Sequence, residues 1–306
     1  MLKFTLTRLL QAIPVILGTT FLTFFLLQVV PGDPVTLMMG EHIQPDVVER
    51  VRKEMHLDDP WPQRYVRYMW DALHGDLGRS YKIKREVADL IANAFPKTIA
   101  LTVAALLFAW GVGIPAGLIS ALKQYSTADH AVMGFALLGV SMPIFWTGLL
   151  FQLVFGWKLG WLPLTGFGTV WHLIMPGIVL GWSSAAVIAR LTRSSLLEVM
   201  TSDYIRTARA KGLPQRLVVL RHALKNSLLP VVTVMAVQIA SLLSGAVITE
   251  SVFGIPGVGR VSVGAIQNRD FPLLQGSVMF AVVLIILGNL LADLSYAFLD
   301  PRIRQE

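Results

Sequence analysis

Two carboxylates stand in or beside long apolar runs, Glu250 and Asp293. A charge is costly to hold at such a place. It reads by default as part of a transport path, an ion-coupling site, or a structurally paired group. Glu250 falls near the outer end of its run and can reach the headgroups. Asp293 falls in the inner half of the last run, where a basic residue near the inner face could pair with it. Ser141, Gln152, Gln238, Ser241, Ser244, Gln275 and Asn289 also interrupt apolar runs and could line a polar path. Gln and Asn cost more to bury than Ser, so they should face a cavity or another helix.

Bond-making chemistry is not expected of this chain. There is no cysteine, which removes thiol chemistry, disulfide scaffolds and zinc ribbons. No G-x-x-x-x-G-K-[ST] loop is present to cradle ATP phosphates, and neither H-E-x-x-H nor G-x-S-x-G occurs. His42, His56 and His74 lack ligand spacing and a common helix face, so no metal site is predicted.

The densest basic segment is Arg190–Leu228, with eight basic residues against Glu198 and Asp203. Its centre reads as helix, tight turn, helix. Ser202 is a candidate N-cap, Gly212 a natural residue just past a helix end, and Pro214 a starter for the next helix. Across Tyr204–Gly212, Tyr204, Ile205 and Ala208 share one side, while Arg206 and Arg209 share another; Lys211 swings back beside Tyr204. Thr207 and Ala210 complete the helix. Such a helix can sit in a groove on a cytoplasmic protein or lie on the inner leaflet. A DNA-binding helix-turn-helix is disfavoured, because membrane spans flank it closely.

The elements that must position these residues follow from composition. The chain has 306 residues, 54% of them hydrophobic and only 15% charged, with mean hydropathy +0.62. Soluble domains carry roughly 25% charge. Disorder, coiled coil and collagen are excluded, and a polytopic membrane protein remains. Six runs are long enough to cross a bilayer as helices: Leu9–Val30, Thr98–Ser120, Ala131–Trp157, Trp171–Ala189, Leu229–Ser251 and Leu273–Phe298. Pro14, Pro115, Pro143 and Pro176 should kink them. The first run is too long for a signal-peptide core, and no small-x-small site follows, so it is read as retained. Gly113-x-x-x-Gly117 and Gly177-x-x-x-Gly181 permit close helix approach without specifying a partner.

With both termini cytoplasmic, 13 Lys and Arg residues lie on the inner side, and only Lys158, Arg260 and Arg269 lie in short outer loops. The formal net charge of +7 therefore sets topology and favours anionic lipid. Nucleic-acid binding is not expected, since no folded basic domain with stacking aromatics is apparent. The long outer loop Pro31–Lys97 carries three helical patterns: Val47, Val48, Val51 and Met55; Tyr65, Tyr68, Met69 and Leu73; Val87, Leu90, Ile91 and Ala94. These read as short amphipathic helices lying on the membrane or on a partner, with Trp61, Trp70 and the tyrosines as headgroup anchors. The expected division is residues 1–96, first span plus outer amphipathic region; 97–298, a five-span core with the inner loop 190–228; and 299–306, a cytoplasmic tail.

The inner loop is where a family becomes visible. Arg206-Thr207-Ala208-Arg209-Ala210-Lys211-Gly212, with Arg221-His222-Ala223-Leu224 and Leu228-Leu229-Pro230, resembles the dipeptide/oligopeptide/nickel subgroup of ABC importer permeases. So do Pro31-Gly32-Asp33-Pro34, His74-Gly75-Asp76-Leu77-Gly78, Ser141-Met142-Pro143, Ala189-Arg190-Leu191-Thr192-Arg193-Ser194-Ser195, Gly254-Ile255-Pro256-Gly257-Val258-Gly259 and Asp300-Pro301-Arg302-Ile303-Arg304. The ordered set spans essentially the whole chain.

The resemblance implies an all-α membrane protein of six transmembrane helices with the type I ABC importer permease fold, in the bacterial inner membrane. It implies a similar second permease subunit, two P-loop ATPases that hold ATP and Mg, and an extracytoplasmic solute-binding protein. It implies that Tyr204–Gly212 is the coupling helix that docks on an ATPase, and that the 254–259 turn could face the binding protein. One departure is clear: Arg206-Thr207-Ala208 stands where the wider family has Glu-Ala-Ala, so an acidic contact does not carry over. Dipeptides or oligopeptides are the expected solutes, with glutathione or nickel as alternatives. An ATP-independent transporter or channel is the rival class, which inverted repeats and midspan charges would favour. No clear repeat is visible. An exporter half would usually carry its ATPase on the same chain, and this one does not.

Overall fold

A computed structural model describes residues 2–29, 45–54, 57–243 and 246–299. The described residues are predominantly helical, with one isolated antiparallel bridge, Arg79 to Glu86, and no strands. In chain order the helices are α1 (Leu2–Val29), α2 (Pro45–Glu54), α3 (Trp61–Leu73), α4 (Val87–Leu122), α5 (Thr127–Ser141), α6 (Ile144–Phe151), α7 (Trp171–Met200), α8 (Asp203–Ala210), α9 (Gln215–Leu243), α10 (Val247–Val252), α11 (Val258–Gln267) and α12 (Phe271–Leu299). Gln152–Lys158 continues α6 as a π-helix, and Val218–Ala223 is a π-helical stretch inside α9.

Among the described residues, α4, α7, α9 and the Phe271–Leu290 part of α12 are long and apolar enough to cross a membrane. The pair α5 and Ile144–Lys158 makes a fifth crossing if counted as one, and α1 holds a shorter apolar stretch, Leu10–Leu26. The protein is an all-α membrane protein.

Several boundaries differ from the sequence expectation, each for a local reason. The run Ala131–Trp157 is broken, with a bend of 109° between Ser141 and Ile144. Pro143 has no N–H to continue α5, and its extended backbone (φ −61°, ψ 133°) starts α6 instead. Pro14, Pro115 and Pro176, by contrast, sit within continuous helices.

The third amphipathic pattern of the outer loop is not a separate helix. Val87, Ile91, Ala94, Thr98, Leu101, Ala105 and Ala109 are all buried, at steps of three and four, so one stripe runs from the loop into the span. The expected boundary between residues 96 and 97 therefore falls inside α4. In α7 the same logic carries the helix past Ala189, through buried Thr192, Ser195 and Leu196, to Met200. The run Leu229–Ser251 is not one described helix: α9 is described as far as Leu243, and α10 is a separate short helix.

The seam between α4 and α7 is built by both glycine pairs at once. A Cβ on Gly113 would meet the Ala185 carbonyl oxygen at 2.8 Å, and one on Gly117 would strike that of Ala189. Reciprocally, Gly177 lies on Ala104, and Gly181 on the Ala105 carbonyl. Each motif packs its backbone against the other helix, the close approach that small residues allow in lipid. Three buried clusters flank this seam. One joins Leu101, Met175 and Phe253, a second joins Val87, Val258 and Leu273, and a third joins Ala121, Leu196, Ile205 and Val218.

Candidate functional site

Helix α8 is held between two chain reversals. Thr201 and Ser202 end α7, and Gly212 follows α8 with φ +76°, in the left-handed region that favours glycine. Its N–H donates to the Arg209 carbonyl at 2.9 Å and the Lys211 N–H to the Thr207 carbonyl at 3.1 Å. Pro214, extended, then starts α9. Ser202 has the backbone of an N-cap, but its hydroxyl donates back to the Val199 carbonyl at 2.6 Å and makes no cap bond. That corrects its expected role.

The apolar and basic sides of α8 fall as the spacing groups them, but the apolar side faces this chain. Ile205 and Ala208 are buried in this chain's own core, against Leu196 of α7, Ala121 at the end of α4, and Val218 and Ala223 of α9. They are not available to a partner's groove. Tyr204 is half-exposed, and its hydroxyl accepts from the Asn226 side chain at 2.9 Å. What α8 presents outward is Asp203, Arg206, Thr207, Arg209 and Ala210, with Lys211 and Gly212 beyond. Arg206 lies 3.3 Å from Asp203 one turn earlier; both are almost fully exposed, so water screens this pair.

The polar residues of the spans fall into different environments. Gln152 donates to the carbonyls of Leu164 (2.9 Å) and Val252 (3.0 Å), which ties α6 to α10 and to the loop before α7. Gln238 accepts from the Trp110 indole at 3.4 Å and donates to the Ser184 carbonyl at 3.2 Å, bridging α9 to α4 and α7. Ser141, Ser241 and Asn289 are exposed. Gln275 is buried, and its side-chain nitrogen has no hydrogen-bond partner among the described residues. Ser244 and the side chain of Asp293 lie outside the described residues. Among the described residues of this set, Gln152 and Gln238 are cross-ties between helices.

Glu250 is fully buried, on α10. One carboxylate oxygen accepts from the Thr98 hydroxyl at 2.7 Å, and the other accepts from the Arg260 N–H at 3.0 Å. The Thr98 oxygen in turn accepts from the Val258 N–H at 2.9 Å. Gly257 stands at the N-cap of α11 and has no side chain to offer. Glu250 and Thr98 therefore satisfy two of the orphan amides of that helix, and the carboxylate sits at its positive end. A Cβ at Gly257 would overlap the Glu250 carboxylate, and one at Gly259 would lie 3.0 Å from it. The glycine-rich turn is cut to the shape of a buried acid.

Two further buried carboxylates behave alike. Asp270 accepts from the Ser80 hydroxyl and from the N–H groups of Tyr81 (3.1 Å) and Lys82 (3.2 Å), so it clamps the outer loop to the start of α12. Burial pushes the Tyr81 phenol up to about 12, which keeps it neutral beside that acid. Asp129 accepts from Ser120, from the Tyr125 N–H at 2.9 Å, and from Arg193 through two bonds of 2.9 and 2.8 Å. It fastens α4, α5 and α7 together.

Residues 113–305 match the model of the binding-protein-dependent transport system inner membrane component, and residues 1–102 match the model of its N-terminal part. The chain belongs to this family of transport permeases. It is 44% identical to the dipeptide transport system permease protein DppB of Escherichia coli K12, with all of both chains covered. It is 41% identical to the glutathione transport system permease protein GsiC of Pectobacterium atrosepticum, covering 99% of each. The fold is similar to a chain of the MetNI methionine ABC transporter, with a TM-score of 0.59 at 18% identity, over 69% of this chain and 96% of that one.

In this permease, sequence reasoning passed over Asp129, Asp270 and Arg193. Asp270 had a readable signal: an acid directly before Phe271-Pro272 is an N-cap with proline in the first turn. It does accept from the Leu273 N–H, at 3.4 Å. Asp129 and Arg193 are 64 positions apart. Neither signals the other without the packing of α5 on α7.

Proposed function

We propose that this chain is the peptide-conducting permease half of an ATP-driven importer, with α8 as the coupling element. The observation that carries this is the seating of α8. Its inner face locks into three long helices through Ile205 and Ala208, while its outer face stays polar, basic and open. Force applied to the outer face reaches α4, α7 and α9 together, because one packed cluster joins them. ATP and Mg belong on two separate ATPase subunits, whose contacts on this chain are Tyr204, Arg206, Thr207, Arg209, Ala210, Lys211 and Gly212. Ile205 and Ala208 act from beneath. Arg206 takes a carbonyl or acidic partner there.

In this reading α1, α4, the bent pair α5–α6, α7, α9 and α12 make six crossings, with both termini cytoplasmic in a bacterial inner membrane. A similar second permease subunit completes the path, and an extracytoplasmic solute-binding protein delivers the solute. Ser141, Ser241 and Asn289 stay candidates for the path, as does Gln275 through its unpartnered amide; Gln152 and Gln238 support its walls. The identity to DppB supports dipeptides. The identity to GsiC supports a second reading, glutathione, which is itself a tripeptide thiol.

Mild-detergent purification of the tagged chain from its native membrane, with mass spectrometry of what accompanies it, tests the assembly. A second permease and P-loop ATPases are expected. Recovery of the chain alone, moving solute in vesicles without ATP, would overturn the reading. Uptake of labelled dipeptide against labelled glutathione in proteoliposomes of the assembly then separates the two solutes.

A further inference from the structure

Helix α3 divides its surface in a way that identifies what covers it. Its inward residues include Tyr65 and Tyr68, with Trp61 against Phe21 and Arg64 over the Phe24 ring. The Tyr65 hydroxyl donates to the Leu17 carbonyl at 3.0 Å, lies 3.0 Å from the Thr20 hydroxyl, and its ring stands edge-on to Phe21 and Phe24. The Tyr68 hydroxyl meets the Met279 sulfur at 3.4 Å. So α3 is fastened to α1 on one side and to α12 on the other.

The depth of these contacts is informative. Leu17 is 12 residues before the end of α1 at Val29, about 18 Å along the helix. Met279 is 8 residues past the start of α12, about 12 Å along it. Both helices thus continue well past the level at which α3 grips them. Beside that grip the surface of α1 is apolar and open, with Leu17, Leu22 and Phe25 exposed and Phe21 partly covered by Tyr65 and Trp61. Acyl chains are the occupant that such a surface on a membrane helix fits.

The outward arc of α3 continues it. At about 100° per residue, Pro62, Leu73, Val66 and Trp70 fall within about 80°. Leu73 is 75% exposed, Val66 66% and Trp70 64%. The next part of the arc is polar, with Gln63, His74 and Arg67, all exposed. A stripe with apolar residues along one edge and polar residues along the other matches the boundary between acyl chains and headgroups. A tryptophan at the join is the side chain such a boundary favours.

We propose that α3 is an interfacial helix, sunk into the leaflet at the C-terminal end of α1, and that the lipid surface is the occupant of its Pro62–Val66–Trp70–Leu73 stripe. The tyrosines hold it at that depth from the protein side. The proposal rests on the chain's being a membrane protein and not on the solute or the coupling role of α8, so its failure leaves those untouched.

The absence of cysteine makes the test direct. Val66→Cys, Leu73→Cys, Gln63→Cys and His74→Cys are each spin-labelled in the full chain. The label is read in the purified assembly, with cysteines of accompanying subunits replaced by serine, in phosphatidylethanolamine–phosphatidylglycerol nanodiscs. Collision with oxygen, which concentrates in lipid, is compared with collision with a water-soluble nickel chelate. The expected result is an oxygen-to-nickel ratio above unity at Val66 and Leu73 and below unity at Gln63 and His74. A ratio below unity at all four positions would overturn the proposal in favour of water. Immobilised labels at Val66 and Leu73 that neither reagent reaches would overturn it in favour of a covering protein.

Discussion

The turn around Gly254 and the reversal around Gly212 are built from similar parts and put to opposite use. Each has a glycine at positive φ, +67° and +76°. Each has a short helix on its N-terminal side and charged residues within one turn of it. At the first, the charge goes inward: Glu250 is buried, both carboxylate oxygens are bonded, and the neighbouring glycines lack Cβ atoms because the acid fills that space. At the second, the charge goes outward: Arg206, Arg209 and Lys211 lie in solvent, and the apolar residues face the core. Location in an apolar run is therefore a poor guide to whether a charge works on a ligand. Whether its hydrogen-bond capacity is already filled is a better one.

The largest effect should come from emptying the inward site. Glu250→Ala leaves the Arg260 N–H and the Thr98 hydroxyl without their acceptor in a buried place, and should cost about 3 kcal/mol. Thermal unfolding in detergent should show it as a lower Tm with reduced membrane yield. Should the variant keep its Tm and lose only uptake, Glu250 would belong to the path, and the contrast between the two turns would collapse. Next in size is Ile205→Ala. The side chain is fully buried, and removing its outer carbons should cost about 2 to 3 kcal/mol in stability. The same melts measure it. A near-neutral outcome would mean that α8 rides loosely on the core.

These two positions show where the sequence was legible. The apolar runs were clear because lipid permits only helices and closed barrels, and continuous rather than alternating apolarity leaves helices. Helix ends were less clear, because α4 and α7 extend past their apolar runs on narrow buried stripes, Val87, Ile91 and Ala94 in one and Thr192, Ser195 and Leu196 in the other, set among polar residues that lower the average hydropathy. The spacing of α8 correctly grouped Ile205 with Ala208. It could not say whether that face met this chain or another, since both present a groove. The partners of Glu250 come from α4 and α11, 152 and 10 positions away, and only the folded arrangement brings Thr98 to it.

A smaller effect is expected from Gly212→Val. Nothing lies near enough to clash with a side chain there, so the cost is conformational: a β-branched residue at φ +76°, about 1 to 2 kcal/mol of local strain. The chain should still fold and assemble, while α8 shifts on its cluster and ATP hydrolysis proceeds with less uptake. Parallel assays of phosphate release and solute accumulation in proteoliposomes read that ratio. Normal uptake would count heavily against α8 as the lever.

The smallest effect on stability, and the sharpest on the comparison, belongs to Arg206→Ala. Among the described residues its close acidic neighbour is Asp203, and that exposed pair contributes below about 0.5 kcal/mol. The melting curve should therefore superimpose on that of the unaltered chain. If the outward face of α8 is where a partner acts, the same substitution should weaken retention of the ATPase subunits during purification, more so as salt is raised. Arg206→Lys should restore part of it, because the charge survives while the two-pronged geometry does not. A variant that melts normally and retains its ATPases fully would move the docking surface off Arg206, to Thr207 and Ala210 on the same open side.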